Sequence, residues 1–197
     1  MKKLISLLLA LAIVMGCTAA FAADAAKTKV YDESFSDERA TVTPFKFEHM
    51  KHGIGKGVCP VYTAPYEGAY RAANGKASVD TNSNLDVGGY SAQGWLLVRY
   101  STNNGGTRVG WIPPKYIKGV VTAMAPHFFH IEQTAEEDLQ VSDNNLSPYD
   151  PSSIIGTIAA GETYYIVGRY NYYNYDLWYV EFYIDEEIAW GFIEVEE

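Results

Sequence analysis

By residue type, Cys59 is the position best suited to covalent chemistry, with His49 and His52 shortly before it in the chain. A cysteine attacks as its thiolate, so it needs a neighbouring base and a polar or positive setting. The local sequence points elsewhere: Cys59-Pro60-Val61 recurs as Leu139-Gln140-Val141. Cys59 thus fills the slot of an inward apolar residue, and an unpaired cysteine there behaves as a small hydrophobe. His127 and His130 stand three apart, which on an extended chain sends them to opposite faces, and no third metal ligand is near. Asp80-Thr81-Asn82-Ser83-Asn84 begins like a calcium loop, but Leu85 stands where the sharp turn needs glycine and Ser91 where a bidentate glutamate closes the cage. It reads as an Asx-type turn, and the run Asp185, Glu186, Glu187 reads as a hairpin turn. There is no defensible Ser-His-Asp spacing, phosphate loop or paired-carboxylate motif. No catalytic residue, metal site or cofactor is expected.

The other chemistry is that of recognition. Tyr62, Tyr66, Tyr70 and Arg71 crowd one short stretch, and Trp95, Trp111 and Tyr116 follow on later elements. Flat aromatics with a polar tip bury much area at small entropic cost, which suits peptide or sugar ligands. Arg71 adds a fork for a carboxylate or phosphate. Tyr62, Tyr66, Tyr70, Arg71, Trp95 and Tyr116 are the candidate ligand-binding residues, with Tyr66, Tyr70 and Arg71 foremost. Trp111 and Val98 are expected in the core.

These residues must be positioned by strands. Short runs rich in Val, Tyr, Trp and Ile alternate with Gly, Asn, Asp and Pro, and no helical period is sustained, so the chain reads as all-β. An internal repeat organises it. Val87-Gly88-Gly89-Tyr90 matches Val167-Gly168-Arg169-Tyr170 at an offset of 80, Gly75 matches Gly156 at 81, and Gly110-Trp111-Ile112 matches Gly191-Phe192-Ile193 at 81. Trp95 and Trp178 break this register, since Trp95 precedes Val98 by three and Trp178 precedes Val180 by two. Either a bulge intervenes or the two point to opposite faces.

The N-terminus has the layout of a secretory signal peptide: Lys2 and Lys3, the apolar run Leu4–Met15, and Ala20-Phe21-Ala22 for cleavage. That run has 12 residues, against the roughly 18 to 20 needed to span a bilayer. Val14-Met15-Gly16-Cys17 loosely resembles a lipobox, with Met15 in place of a small residue, so lipid anchoring at Cys17 is the alternative to cleavage after Ala22. The expected location is outside the cell or in its envelope, with no transmembrane segment. Only Cys59 remains after cleavage, so no intramolecular disulfide can form.

Net charge is −9 and unevenly spread: Ala23–Lys118 carries 12 basic and 9 acidic residues, whereas Gly119–Glu197 carries Arg169 against 15 acidic ones. The small basic excess and the export signal argue against nucleic acid as partner. The expected organisation is a signal peptide at 1–22, an extension at 23–56, a first module at 57–118, a linker at 119–137 and an acidic second module at 138–197. Phe45 and Phe47 alternate and would add an edge strand to the first module, and part of Phe128-Phe129-His130-Ile131-Glu132-Gln133 would pack on the second.

The order Val61-Tyr62-Thr63-Ala64-Pro65-Tyr66-Glu67-Gly68-Ala69-Tyr70-Arg71, then Val87-Gly88-Gly89-Tyr90, Trp95-Leu96-Leu97-Val98-Arg99-Tyr100, Gly110-Trp111-Ile112 and Pro113-Pro114-Lys115-Tyr116-Ile117 resembles a bacterial SH3 (SH3b) domain. The stretch from Leu139 resembles it more weakly. The resemblance implies two tandem SH3-like small barrels of about five to six strands each. It also implies a secreted, non-catalytic protein that binds cell-wall material, peptidoglycan peptide or anionic glycan, along a groove beside the first loop. The alternative is an extracellular interaction module for an extended or proline-rich protein or peptide partner, as wider SH3 domains are.

Overall fold

The computed structural model describes residues 44–50, 57–80, 85–118, 128, 130–172 and 175–194, all within one compact unit. The signal peptide, Cys17, His52, Thr81–Asn84 and His127 lie outside the described residues. The described chain is all-β, in antiparallel sheets. In chain order the strands are β1 (Glu48–Met50), β2 (Cys59–Pro60), β3 (Ser78–Val79), β4 (Leu85–Tyr90), β5 (Leu96–Ser101), β6 (Thr107–Ile112), β7 (Ile131–Thr134), β8 (Leu139–Ser142), β9 (Ile154–Ile158), β10 (Thr163–Tyr172), β11 (Tyr175–Ile184) and β12 (Glu187–Glu194). A four-stranded sheet runs β1-β4-β5-β6, a six-stranded sheet runs β7-β10-β11-β12-β8-β9, and β2-β3 form a separate ribbon.

The same pairing scheme occurs in both halves. Val98 of β5 stands opposite Gly110 of β6, and Val180 of β11 opposite Gly191 of β12. Tyr62 bridges Trp111 just as Ser142 of β8 pairs with Phe192. Both glycines are required by this crossing: a Cβ on Gly110 would meet Val61 Cγ1 at 2.5 Å and the Tyr62 carbonyl at 2.7 Å, and a Cβ on Gly191 would meet Val141 Cγ1 at 2.5 Å and the Ser142 carbonyl at 2.9 Å.

Two of the sequence matches shift in register. A bulge falls between Val87 and Gly89 in β4 and between Ile166 and Gly168 in β10, placing Gly89 opposite Leu97 and Gly168 opposite Tyr179. Gly89, not Gly88, is therefore the partner of Gly168. Likewise Gly156 faces Val141, while the Val61 N–H bonds to the Ala77 carbonyl, so Ala77 rather than Gly75 is its counterpart. The tryptophan question is settled by the same register: Trp178 faces Arg169 and matches Leu96, which faces Tyr90. By the same offset Trp95 matches Leu177, so the two tryptophans occupy different slots.

Each half has its own apolar core on one sheet face. Cys59, Val61 and Val79 pack with Val87, Leu96, Val98 and Ile112 in the first, and Val141, Ile158 and Ile166 pack with Trp178, Val180, Phe182 and Ile193 in the second. Neighbours on the strands point the other way and are buried too: Leu97, Val109 and Trp111, and Tyr179, Trp190 and Phe192. These faces form an aromatic seam between the halves. The Trp111 ring lies 5.7 Å from Trp190 and 5.2 Å from Phe128, and Tyr179 stacks on Phe192 at 4.6 Å. The Trp111 indole N–H donates to the Tyr179 hydroxyl at 3.1 Å, which donates to the Thr63 carbonyl at 3.3 Å.

The expected edge strand from the extension forms, displaced along the chain: Glu48–Met50 pairs with β4, while Phe45 bridges Tyr170 of β10 and its N–H bonds to the Arg169 carbonyl. Burying an aromatic ring yields more than solvating it, so Phe45 enters the seam instead of the first sheet. Ile131–Thr134 likewise edges β10. Pro113 and Pro114 cannot donate to the ladder, so β6 stops at Ile112 and Pro114–Tyr116 form a 3-10 turn.

Two measurements follow from this packing. Trp111→Ala removes a buried ring and the donor to the Tyr179 hydroxyl, and is expected to lower the unfolding free energy by about 4 kcal/mol. Amide protection should fall in β11 and β12 as well as in β5 and β6; loss confined to β5 and β6 would show that the halves are independent. At the β11–β12 hairpin, Asp185 (φ 48) and Glu186 (φ 70) occupy the left-handed region of a two-residue turn. Asp185→Asn with Glu186→Gly should raise stability by about 1 kcal/mol in urea denaturation.

Candidate functional site

The first loop runs from Val61 to Arg71 and is held at several points. The Tyr62 N–H donates to the Trp111 carbonyl at 3.0 Å, and the Trp111 N–H donates back to the Tyr62 carbonyl at 2.7 Å. The Thr63 hydroxyl donates to the Tyr70 carbonyl at 2.9 Å. The Tyr70 N–H crosses to the second half, donating to the Ile188 carbonyl at 2.9 Å.

Arg71 closes the base of this loop. Its Nη2 donates to the Ala77 carbonyl at 2.7 Å and its Nε to the Val61 carbonyl at 3.4 Å, with the guanidinium 5.2 Å from the Tyr62 ring centre. Trp95 sits edge-on to Tyr62 at 5.5 Å. The Ser91 hydroxyl fixes it by accepting the Trp95 N–H at 3.2 Å, while the Ser91 N–H bonds to the Trp95 carbonyl. Gly94, at φ +81, makes that tight turn possible and brings it beside Pro114.

On the 3-10 turn, Tyr116 packs against the first core. Lys115 reaches over its ring at 5.5 Å and pairs with Glu67 of the first loop at 2.6 Å. The Glu67 carboxylate, by hydrogen bond and charge, holds the Lys115 ammonium above its ordinary range, and the Tyr62 and Tyr116 phenols act in the same direction. Both members of the pair are about 60% exposed, so the bridge is available to a ligand and adds little to stability.

Of the six candidate residues, the structure therefore gathers Tyr62, Arg71 and Trp95 directly, and Tyr116 through Lys115. Tyr66 folds back over Gly68, where a Cβ would collide with its hydroxyl. Tyr70 turns away and packs on the core of the second half. Trp111 is buried as expected, but in the seam and not in the first core. Glu67, Ser91 and Lys115 were not legible from sequence: Glu67 and Lys115 are 48 residues apart and meet through the fold alone.

Cys59 and the described histidines are engaged in packing and pairing. Cys59 is fully buried, and burial, with Asp80 adding to it, pushes its thiol above the ordinary value. The His49 ring lies on Asp86 at 3.2 Å, and Asp86 is gripped by Arg99 through Nε at 2.9 Å and Nη2 at 2.6 Å. His130 stacks on Tyr165 at 3.8 Å. Among the described residues no group of three or more His, Cys, Asp or Glu could hold a metal ion, and no helix is long and apolar enough to cross a membrane. Comparison with protein-family models, with curated proteins and with solved structures gives no match.

The burial of Cys59 has a direct check. A thiol reagent should leave native protein unlabelled over minutes and label it completely in urea; stoichiometric native labelling would mean an accessible thiolate.

Proposed function

We propose that this chain is an exported, non-catalytic binding protein that holds cell-wall material, a peptidoglycan peptide or an anionic glycan, on the first half of the fold. The observation that carries the proposal is the strip of Tyr62, Trp95 and Tyr116 beside the Lys115–Glu67 bridge. Tyr62 and Tyr116 are half-buried and offer flat contact area, and the buried Trp95 backs Tyr62 from beneath. Their positions are set beforehand by Ser91, Arg71 and the Trp111 backbone, so little ordering entropy opposes binding. Lys115 lies at the edge of the strip, where an incoming carboxylate or phosphate can compete with Glu67. The SH3b resemblance of the first loop, of the Trp95 strand and of Gly110–Ile117 supports the same location, and the signal-peptide layout supports export. Arg71 serves here to position the loop, since its guanidinium is bonded to two carbonyls.

A second reading, an extended or proline-rich peptide as ligand, is favoured by Trp95 standing edge-on to Tyr62 while the adjacent Gly94 lies against Pro114. Such a pairing of aromatic and proline surfaces suits a polyproline-type segment.

Co-sedimentation with purified peptidoglycan, with and without teichoic acid and over a salt series, separates the two. Wild type should sediment. Tyr62→Ala with Tyr116→Ala should weaken binding at least tenfold, on the order of 1.4 kcal/mol, and Tyr183→Ala on the other half should leave it unchanged. Binding lost at high salt alone would assign it to general charge attraction. Absence of sedimentation, with a proline-rich peptide titrating instead, would overturn the wall-binding reading.

A further inference from the structure

The seam contains a charge that its surroundings do not fully accommodate. Asp143 follows β8 and is 2% exposed. Its main chain is well bonded: the carbonyl accepts the Val109 N–H at 2.7 Å and its N–H donates to the Ser153 carbonyl at 3.0 Å. Its carboxylate is not. Arg108 Nη1 of β6 lies 3.0 Å away, yet neither carboxylate oxygen has a partner in hydrogen-bond geometry. The side-chain amide of the wholly buried Asn145 is in the same condition.

The equivalent residue in the first half shows that this charge is not required by the loop. Tyr62 bridges Trp111 as Ser142 pairs with Phe192, so the next residue, Thr63, matches Asp143. Thr63 is neutral and satisfied: its hydroxyl donates to the Tyr70 carbonyl and its carbonyl accepts the Tyr179 hydroxyl. A buried carboxylate with incomplete hydrogen bonding is costly while ionised and much less so when protonated.

We propose that the buried Asp143 side chain is a proton-sensitive latch between the two halves: protonated, it stays in the seam without an uncompensated charge, and ionised, it carries a desolvation cost that Arg108 offsets only in part, which loosens the packing there. Arg108 of β6 and the Asp143 main-chain N–H favour the ionised form of Asp143, which in turn acts on the phenols of Tyr100 on β5 and Tyr179 on β11; Arg108 and Arg71 also act on Tyr100. Burial holds both phenols far above their ordinary range, so they stay neutral and Asp143 is the group of this set that changes charge. Burial pushes the Asp143 carboxyl up to about 7, against the opposing effect of Arg108. The folded chain thus retains a proton that the unfolded chain releases near 3.8. Stability from this source is complete below that value, declines as pH rises and levels off above about 7. Arg108 also donates to the Ser152 carbonyl at 3.3 Å.

The test is amide exchange at Val109, whose N–H lies on the latch, measured from pH 5 to 8 and corrected for the intrinsic pH dependence of exchange. Wild-type protection should fall at least tenfold over that range. Asp143→Asn should cut the change to less than threefold, with wild-type-like protection at pH 5. Arg108→Gln, which removes the opposing charge and leaves Asp143 in place, should move the midpoint to higher pH. The latch is overturned by a flat wild-type profile, by an Asp143→Asn profile parallel to it, or by an unmoved midpoint in Arg108→Gln.

Discussion

The hydrogen bond from the Trp111 indole to the Tyr179 hydroxyl, passed on to the Thr63 carbonyl, is the contact on which the rest of the fold depends. Burying a large aromatic ring is favourable so long as its polar tip finds a partner, and a buried donor left unmet costs as much as the ring gains. Here the partner comes from the opposite half. Two sheets with their own cores are thereby joined through faces that a free-standing module would keep in water. The matched register shows how: Leu97 corresponds to Tyr179, Val109 to Trp190 and Trp111 to Phe192. Equivalent slots hold different residues in the two halves, which is what makes the faces complementary instead of identical.

That joint also decides what the first loop can do. Thr63 and Tyr70 are drawn toward the second half, so the loop meets solvent chiefly at Glu67 and Gly68, with Tyr62 and Tyr66 half-buried beside them. Trp95 and Tyr116 close on that point from two other turns, and Arg71 is engaged in holding the loop's base. An aromatic strip made this way is held in place because each ring is fixed by a main-chain bond or by the core beneath it. The second half lacks the pattern: Ser142 stands where Tyr62 does and Leu96 matches Trp178, whose face belongs to the core.

Divergence between the halves extends to charge. Above the matching edge strands, Phe47 covers Arg99 at 5.0 Å, whereas His130 lies 3.8 Å from Glu181, whose other oxygen accepts the Trp190 indole N–H at 2.7 Å. Thr63 and Asp143 repeat the contrast inside the seam. The repeated pattern of strands carries Arg99 and Thr63 in the first half where the second half has the carboxylates Glu181 and Asp143, both deeply buried.

Composition and periodicity were enough to determine an all-β chain, its turn-forming prolines and glycines, the repeated strand order and the inward position of Cys59. Each of these rests on local chemistry: β-branched and aromatic residues on pleated surfaces, φ restrictions, and small apolar side chains in small slots. The seam left one trace that alternation alone does not interpret, the unbroken apolar runs Leu96-Leu97-Val98 and Ala189-Trp190-Gly191-Phe192-Ile193, as expected of strands buried on both faces. The bulges at Gly88 and Val167, the destination of Phe45, the meeting of Glu67 with Lys115 and the placement of Asp143 against Arg108 depended on the tertiary structure. All join residues far apart in the chain, and such contacts are selected by the packing of whole faces, which no short window of sequence contains.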